Sequence, residues 1–196
     1  MTDKLEVRPL NEPEWDVAMA VTARAFLHEP FVIGLLGADP VTRYARCRGR
    51  YASIPFDPDG DCLGAFVGDD LVGAIGVERA GHCHHCLKAD EPDFITGAIS
   101  VYQRNATASH ARQPAHGWVG RVAIEPALHG AGVGSRLLAE ALAHLARRGT
   151  AVALLDCETH RVDFYARRGF VALDSFRGSV DNELVLMSAP TASASS

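Results

Sequence analysis

The chain, 196 residues long, predicts a single α/β domain of the α+β type, with a mixed central sheet of about six to seven strands flanked by about four to five helices. Three observations predict it. Short runs of strand character alternate along the chain with longer runs of helical period. Two β-rich runs, "CLGAFV" and "LVGAIGV", flank the tight turn "GDD", which reads as a hairpin. The run "AVALLDCE" is almost continuously apolar, as a strand at a central position in a sheet is. The length suits one domain with a real core and falls short of two. Residues 1–188 are expected to form it, and residues 189–196, ending in "TASASS", are expected to be a disordered tail.

The elements follow in order. "LEVRPL" alternates as a first strand. In "NEPEW", Asn11 can cap a helix, Pro13 sits in its first turn and Glu14 is placed for a capping box. Trp15, Ala18, Met19, Thr22 and Phe26 then keep helical spacing to about residue 27. Asp39-Pro40 starts a second helix, whose face is read from Val41, Tyr44, Ala45, Arg48 and Tyr51. After the hairpin and the irregular "ERAGHCHHCLKADEP", Asp90 caps a third helix carrying Phe94, Ile95, Ala98, Val101 and Tyr102. "GWVGRVAI" is the next strand. The helix after it buries Leu137, Leu138, Ala141, Leu142 and Leu145, and leaves Arg136, Glu140, His144 and Arg147 to water. It stops at Gly149, with Arg147 and Arg148 at the negative end of its dipole. "RVDFYARRGF" is a short helix ending in Gly169, and strands near Val171 and at 184–187 close the domain.

A formal charge of −5 argues against an electrostatic nucleic-acid binder. "MTDKLEV" lacks the apolar core of a signal peptide, and no apolar run approaches membrane-spanning length. Five cysteines, an odd number, favour reduced thiols over a disulfide framework. The expectation is a cytoplasmic protein with neither nucleic acid nor membrane as partner; a homodimer is the assembly considered.

The stretch "EPALHGAGVGSRLL" carries Gly130, Gly132 and Gly134 into the start of a helix. Glycines bunched there bring backbone amides close to an anion, most often phosphate. A nucleotide loop of the Walker A type fails, because Ser135-Arg136 stands where Lys-Ser/Thr is needed. A dinucleotide fingerprint wants G-x-G-x-x-G and an acid about 20 residues on. The spacing here is G-x-G-x-G, Asp156 could serve as the acid, and the late position in the chain counts against this reading. A bare strand-to-helix turn without ligand and a pyrophosphate loop for coenzyme A are the other two readings.

"VAIEPALHGAGVGSRLL" followed about twenty residues later by "VALLDCETHRVDFYARRGF" resembles the motif pair of the GNAT N-acetyltransferase superfamily. The element order agrees, and the likeness spans residues 4–188. "AFLHEPF" and "LLDCET…DFYARRGF" are most similar to the branch containing puromycin N-acetyltransferase. The resemblance implies a GNAT-like domain that moves an acetyl group from acetyl-CoA, as co-substrate, to a primary amine by direct transfer. It places the pyrophosphate on His129, Gly130, Ala131, Gly132, Val133, Gly134 and Ser135, and the pantetheine arm along Val122, Ala123 and Ile124. An amide of that strand would hold the oxyanion, and Tyr165 would protonate the departing thiolate. His129 stands where the family has Arg or Gln, so pyrophosphate affinity is expected to be lower or pH-dependent, and Arg161 stands near the pantetheine where relatives carry Asn or Ala. Neither change removes the backbone cradle.

The amine must also lose a proton. "GWVGRVAI" carries no acid, so Asp156 and Glu158 at the end of the next strand are the first candidate bases, with His28, Glu29 and His116 behind them. No cysteine of the matched motifs is placed as a nucleophile, so a ping-pong route is not indicated. In "GHCHHC", Cys83-x-x-Cys86 is half of a zinc site, and His82, His84 and His85 could add ligands. No second ligand pair is visible in sequence, so no metal is expected. The acceptor expected is a small-molecule amine. A protein lysine or N-terminus, or a coenzyme A-binding sensor without transfer, are the alternatives.

Overall fold

The computed structural model of the chain describes residues 4–53, 61–83, 98–179 and 182–191. Strand β1 (Leu5–Pro9) leads through a 3₁₀ turn into helix α1 (Trp15–Phe26). The Asn11 N–H donates to Glu14 Oε2 at 2.9 Å, the capping-box contact the sequence suggests, and Arg8 forks onto the same carboxylate at 2.6 and 2.9 Å. Helix α2 (Pro30–Leu36) is a finding without a counterpart in the sequence reading. It is about two turns long and opens on a proline, below the length at which periodicity is informative.

Helix α3 (Pro40–Ser53) begins where expected, with the Thr42 N–H on Asp39 Oδ2 at 2.7 Å. Its inward face lies about one residue out of phase with the one expected. Val41 is 78% exposed, whereas Arg43 and Cys47, one turn apart, are buried. The cause is polar. The Arg43 guanidinium donates to the carbonyls of Leu27, Gly37 and Ala38 at 2.7–2.8 Å, tying the end of α1 to the end of α2.

Strands β2 (Asp61–Val67) and β3 (Asp70–Glu78) form the expected antiparallel hairpin. Helix α4 (Ala98–Ala111) contains Tyr102; Asp90, Phe94 and Ile95 lie outside the described residues. Strand β4 (Gly117–Ile124), helix α5 (Val133–Arg147), strand β5 (Val152–Glu158) and helix α6 (Val162–Ala166) come next. The pair β6 (Val171–Ser179) and β7 (Asn182–Pro190) closes the sheet.

The seven strands run in the order β1-β2-β3-β4-β5-β7-β6, and only the β4–β5 contact is parallel. Helix α5 buries Leu137, Leu138, Ala141 and Leu145 on one face against Ile75, Val119 and Leu155, as its period predicts. Each such leucine contributes on the order of 2 kcal/mol. His144, expected in water, is 14% exposed at its side chain and bonds Asp61 at 2.7 Å. Helices α1 and α4 cover the opposite face, α1 through Ala18 and Met19, α4 through Ala106 against Leu154, Phe176 and Leu186. Among the described residues no single helix is long and apolar enough to cross a membrane.

Strand period then decides what reaches each face of β5. Leu155 and Cys157 join the cluster under α5, while Leu154 joins the cluster under α4. Asp156 and Glu158, in step with Leu154, point to the α4 and α2 side.

Candidate active site

Strands β4 and β5 are paired only at Gly117–Ala153 and Trp118–Leu154. Beyond Trp118 each keeps its outer neighbour, β4 on β3 as far as Ile124 and β5 on β7 as far as Glu158, so the sheet splits down the middle. The split is reinforced on β4, where the register opposite β3 slips between Ala74 and Gly76. Arg121 sits in that bulge at φ 54°, a left-handed conformation that is uncommon for a residue with a side chain. The inner edges of both strands therefore turn backbone N–H and C=O groups toward a shared cleft. A cavity of about 460 Å³ fills it. Its walls include Gly120, Val122 and Ile124 from β4, Asp156 and Glu158 from β5, and Tyr165 from α6.

One end of the cavity is the glycine loop. Gly130 and Gly132 hold φ values of 84° and 86°, and a Cβ built on either would meet nothing within 4 Å. These glycines are required by backbone conformation, and the space in front of them is open. Gly132 caps α5, so the first amides of a 15-residue helix face that space without helical acceptors. A pyrophosphate fits this cradle: donors converge, the dipole is positive there and no side chain intrudes. Gly134 serves differently, since a Cβ there would stand 3.0 Å from Ile124 Cδ1 and crowd that side chain between α5 and β4.

The α5 side of the cleft also carries Tyr165. Its ring stacks edge-on against Phe164 and Phe170, with centroids 5.0 and 5.9 Å apart. Burial pushes its phenol well above the ordinary tyrosine range, so it stays protonated through the neutral range. Cys157 lines the same wall, yet burial pushes its thiol up to about 12, and its Sγ lies 3.6 Å from Met187 Sδ. A neutral, buried thiol is a poor nucleophile.

The opposite side is built from acids and aromatic rings. The Asp156 side chain is 4% exposed; its Oδ2 accepts from the Tyr102 hydroxyl at 3.1 Å, and its Oδ1 lies 3.2 Å from His110 Nε2. Glu158 is engaged differently. Its Oε1 accepts the Phe31 N–H at 3.0 Å and its Oε2 the Asn182 amide at 3.1 Å, so it anchors the first turn of α2. Glu29 at the mouth is paired with Arg161 and with His160.

Of the residues expected at the cofactor, Val122, Ile124, Gly130 and Gly132 line the cavity, as do His129, Val133, Gly134 and Ser135. Ala123 is fully buried and faces away, and Ala131 lies outside the lining. Ser135 is bonded by Arg168 Nε at 3.1 Å, and that guanidinium lies 3.7 Å over the Phe164 ring. Among the other candidate bases, His28 is exposed in a shallow neighbouring depression, and His116 is buried outside the cavity lining. Burial holds His116 below the usual imidazole range. Cys83 is buried; His84, His85 and Cys86 lie outside the described residues. His110 was missed by sequence reasoning altogether. It is a lone histidine near the end of a helix, and only the fold carries it to Asp156.

A family profile described as acetyltransferase (GNAT) family matches residues 30–170. No curated protein matches the chain in sequence. Solved structures share its fold. The polyamine N-acetyltransferase of Drosophila melanogaster, which catalyses the formation of N-acetylagmatine, superposes with a TM-score of 0.69 at 18% identity, covering 95% of this chain and 100% of its own. A protein described as "histone acetyltransferase HPA2 and related acetyltransferase", from Corynebacterium glutamicum, gives 0.68 at 22% identity and covers 98% of both chains. An N-acetyltransferase from Thermoplasma acidophilum, solved in complex with coenzyme A, gives 0.58 at 15% identity over 95% of this chain and 99% of its own.

Proposed function

Because the chain belongs to the GNAT acetyltransferase family, the acyl-CoA-dependent N-acyltransferases, we propose that it carries the acetyl group of acetyl-CoA to the primary amine of a small molecule by direct transfer. The observation that carries the reading is the split between β4 and β5, with an anion cradle on one wall and buried carboxylates on the other. The loop amides from Gly130 to Ser135 bind the pyrophosphate, and the exposed edge of β4 at Val122 and Ile124 lies along the pantetheine arm. A β4 amide beside the bulge at Arg121 donates to the thioester oxygen as it gains negative charge.

Asp156 takes the proton that the amine must lose, oriented by Tyr102 and His110. Glu158 also has both oxygens engaged, but by the Phe31 N–H and the Asn182 amide, so its carboxylate ties α2 to β7 and is placed second. Tyr165 supplies the proton for the departing thiolate, and its raised phenol keeps that proton available above neutral pH. The new bond is nitrogen to carbon, the broken one carbon to sulfur, and no acyl-enzyme forms at Cys157. The acceptor wall, with Glu29, Asp156 and Glu158 beside Phe31, Tyr102 and Trp118, suits a compact cation carrying an amine. Structural neighbours act on agmatine and on polyamines, which is the same chemical class.

The test is release of free thiol from acetyl-CoA with a panel of amines, alongside direct measurement of coenzyme A binding. Amine-dependent release is expected, with cationic small amines best. Tight coenzyme A binding without amine-dependent release would leave a binding module instead. Tyr165→Phe should cost about 10- to 100-fold in kcat; an unchanged rate at neutral pH would remove Tyr165 from the mechanism.

A further inference from the structure

Behind Asp156, outside the cavity lining, three buried side chains from three places in the chain point their donor atoms at one another. Cys83 follows β3, His110 lies in the last turn of α4, and His116 stands one residue before β4. They are 2%, 0% and 3% exposed. Cys83 Sγ lies 3.4 Å from His110 Nδ1, and His110 Nδ1 lies 3.1 Å from His116 Nε2, with all three donor atoms within 4.8 Å of one another. We propose that Cys83, His110 and His116 bind a zinc-type divalent cation, a structural centre set behind the acceptor wall.

The tautomers carry the argument. His116 Nδ1 lies 2.8 Å from the Pro114 carbonyl, which can only accept, so that nitrogen bears its hydrogen. His110 Nε2 faces the Asp156 carboxylate at 3.2 Å and bears its hydrogen for the same reason. Both remaining nitrogens, His110 Nδ1 and His116 Nε2, then present lone pairs to each other at 3.1 Å. Two lone pairs at that distance repel unless a positive centre stands between them. One added proton could bridge the two nitrogens with the sulfur as a weak hydrogen-bond partner, and metal analysis separates that arrangement from a bound cation. A cation satisfies all three.

The two distances made by His110 Nδ1, 3.1 Å to nitrogen and 3.4 Å to sulfur, agree with that assignment, and the third pair lies within 4.8 Å. Tetrahedral zinc holds two nitrogens about 3.3 Å apart and a nitrogen and sulfur about 3.6 Å apart. The outer hydrogen bonds are the ones metal-bound histidines make, one to a carboxylate and one to a backbone carbonyl, each fixing its ring. A thiolate with two imidazoles is the donor set for zinc rather than for magnesium or calcium. Bound there, the cation fixes His110 with its N–H toward Asp156, and so holds the carboxylate from behind.

The experiment is elemental analysis of untagged protein purified without chelator and dialysed into metal-free buffer. About one zinc per chain is expected, retained by Glu29→Gln, which alters the exposed cluster of Glu29, Glu158 and His160, and lost from Cys83→Ser and His116→Ala. Cobalt substitution of the wild-type protein adds a reading that needs no variant: a thiolate-to-cobalt charge-transfer band should appear and be absent from Cys83→Ser. Folded wild-type protein that takes up neither zinc nor cobalt overturns the proposal. So does metal retained in full by Cys83→Ser.

Discussion

On the α5 wall of the cleft, apart from the Tyr165 hydroxyl, the groups offered to a ligand are backbone amides held in place by a helix start, a bulge and two glycines of positive φ. On the facing wall they are side chains, Asp156 from β5, Tyr102 and His110 from α4, and Phe31 from α2, brought together from elements far apart in sequence. The first arrangement tolerates change in side chains and, in the function proposed, would recognise what all coenzyme A thioesters share. The second depends on each residue separately and can be re-shaped without disturbing the first. Binding of the donor and handling of the amine are therefore separable in this molecule, and variants on the two walls should fail in different ways.

The largest effect is expected from Asp156→Asn. It should lower kcat by about 100- to 1,000-fold while the Kd for acetyl-CoA moves by less than about twofold, read by thiol release and calorimetry. Next is Gly132→Val. The forced positive φ should cost roughly 1–2 kcal/mol at the helix start and weaken acetyl-CoA binding about tenfold, with the amine KM little changed. Arg43→Met removes three hydrogen bonds to the carbonyls at the ends of α1 and α2 and should destabilise the fold by about 2–4 kcal/mol in urea unfolding. Because α2 stands on the acceptor side, that variant should raise the amine KM and spare the donor Kd.

The smallest effect lies away from both walls, at the first turn. Arg8 and the Asn11 amide hold the Glu14 carboxyl at about 2, against an ordinary 4.5. A depressed carboxyl contributes stability that is complete above pH 4.5 and is lost as pH falls toward 2. Arg8→Gln should flatten the fall in the urea midpoint across that window by lowering the midpoint at pH 7 toward its low-pH value, a small decrease since the pair is at the surface.

The same contrast explains what could be read from the sequence. The donor wall was legible because its parts are local. Gly130, Gly132 and Gly134 lie in one five-residue stretch, and α5 announces its buried face by period. Asp156 and Glu158 were legible as acids at a strand end, but strand period gives no means of telling them apart. The structure does so through partners: Glu158 is taken up by the Phe31 amide and Asn182, and Asp156 by Tyr102 and His110. Helix α2 was hidden by its brevity, and α3 was read about one residue out of phase, with Tyr44 inward as expected but Val41 outward, because a buried arginine looks like a solvent residue until its three carbonyl acceptors are seen. Cys83 was visible only as half of a motif with Cys86, whereas its described neighbours in space are His110 and His116, brought together by the turn between α4 and β4.

The claim that the two walls do different work is tested most directly by measuring both acetyl-CoA Kd and amine-dependent kcat on Asp156→Asn and Gly132→Val side by side. A crossed pattern is expected, with Asp156→Asn losing kcat at unchanged Kd and Gly132→Val losing affinity with kcat at saturating donor largely kept. If both variants lost the same quantity, or if Asp156→Asn turned over amines at the wild-type rate, the division between a donor wall and a catalytic acceptor wall would be wrong.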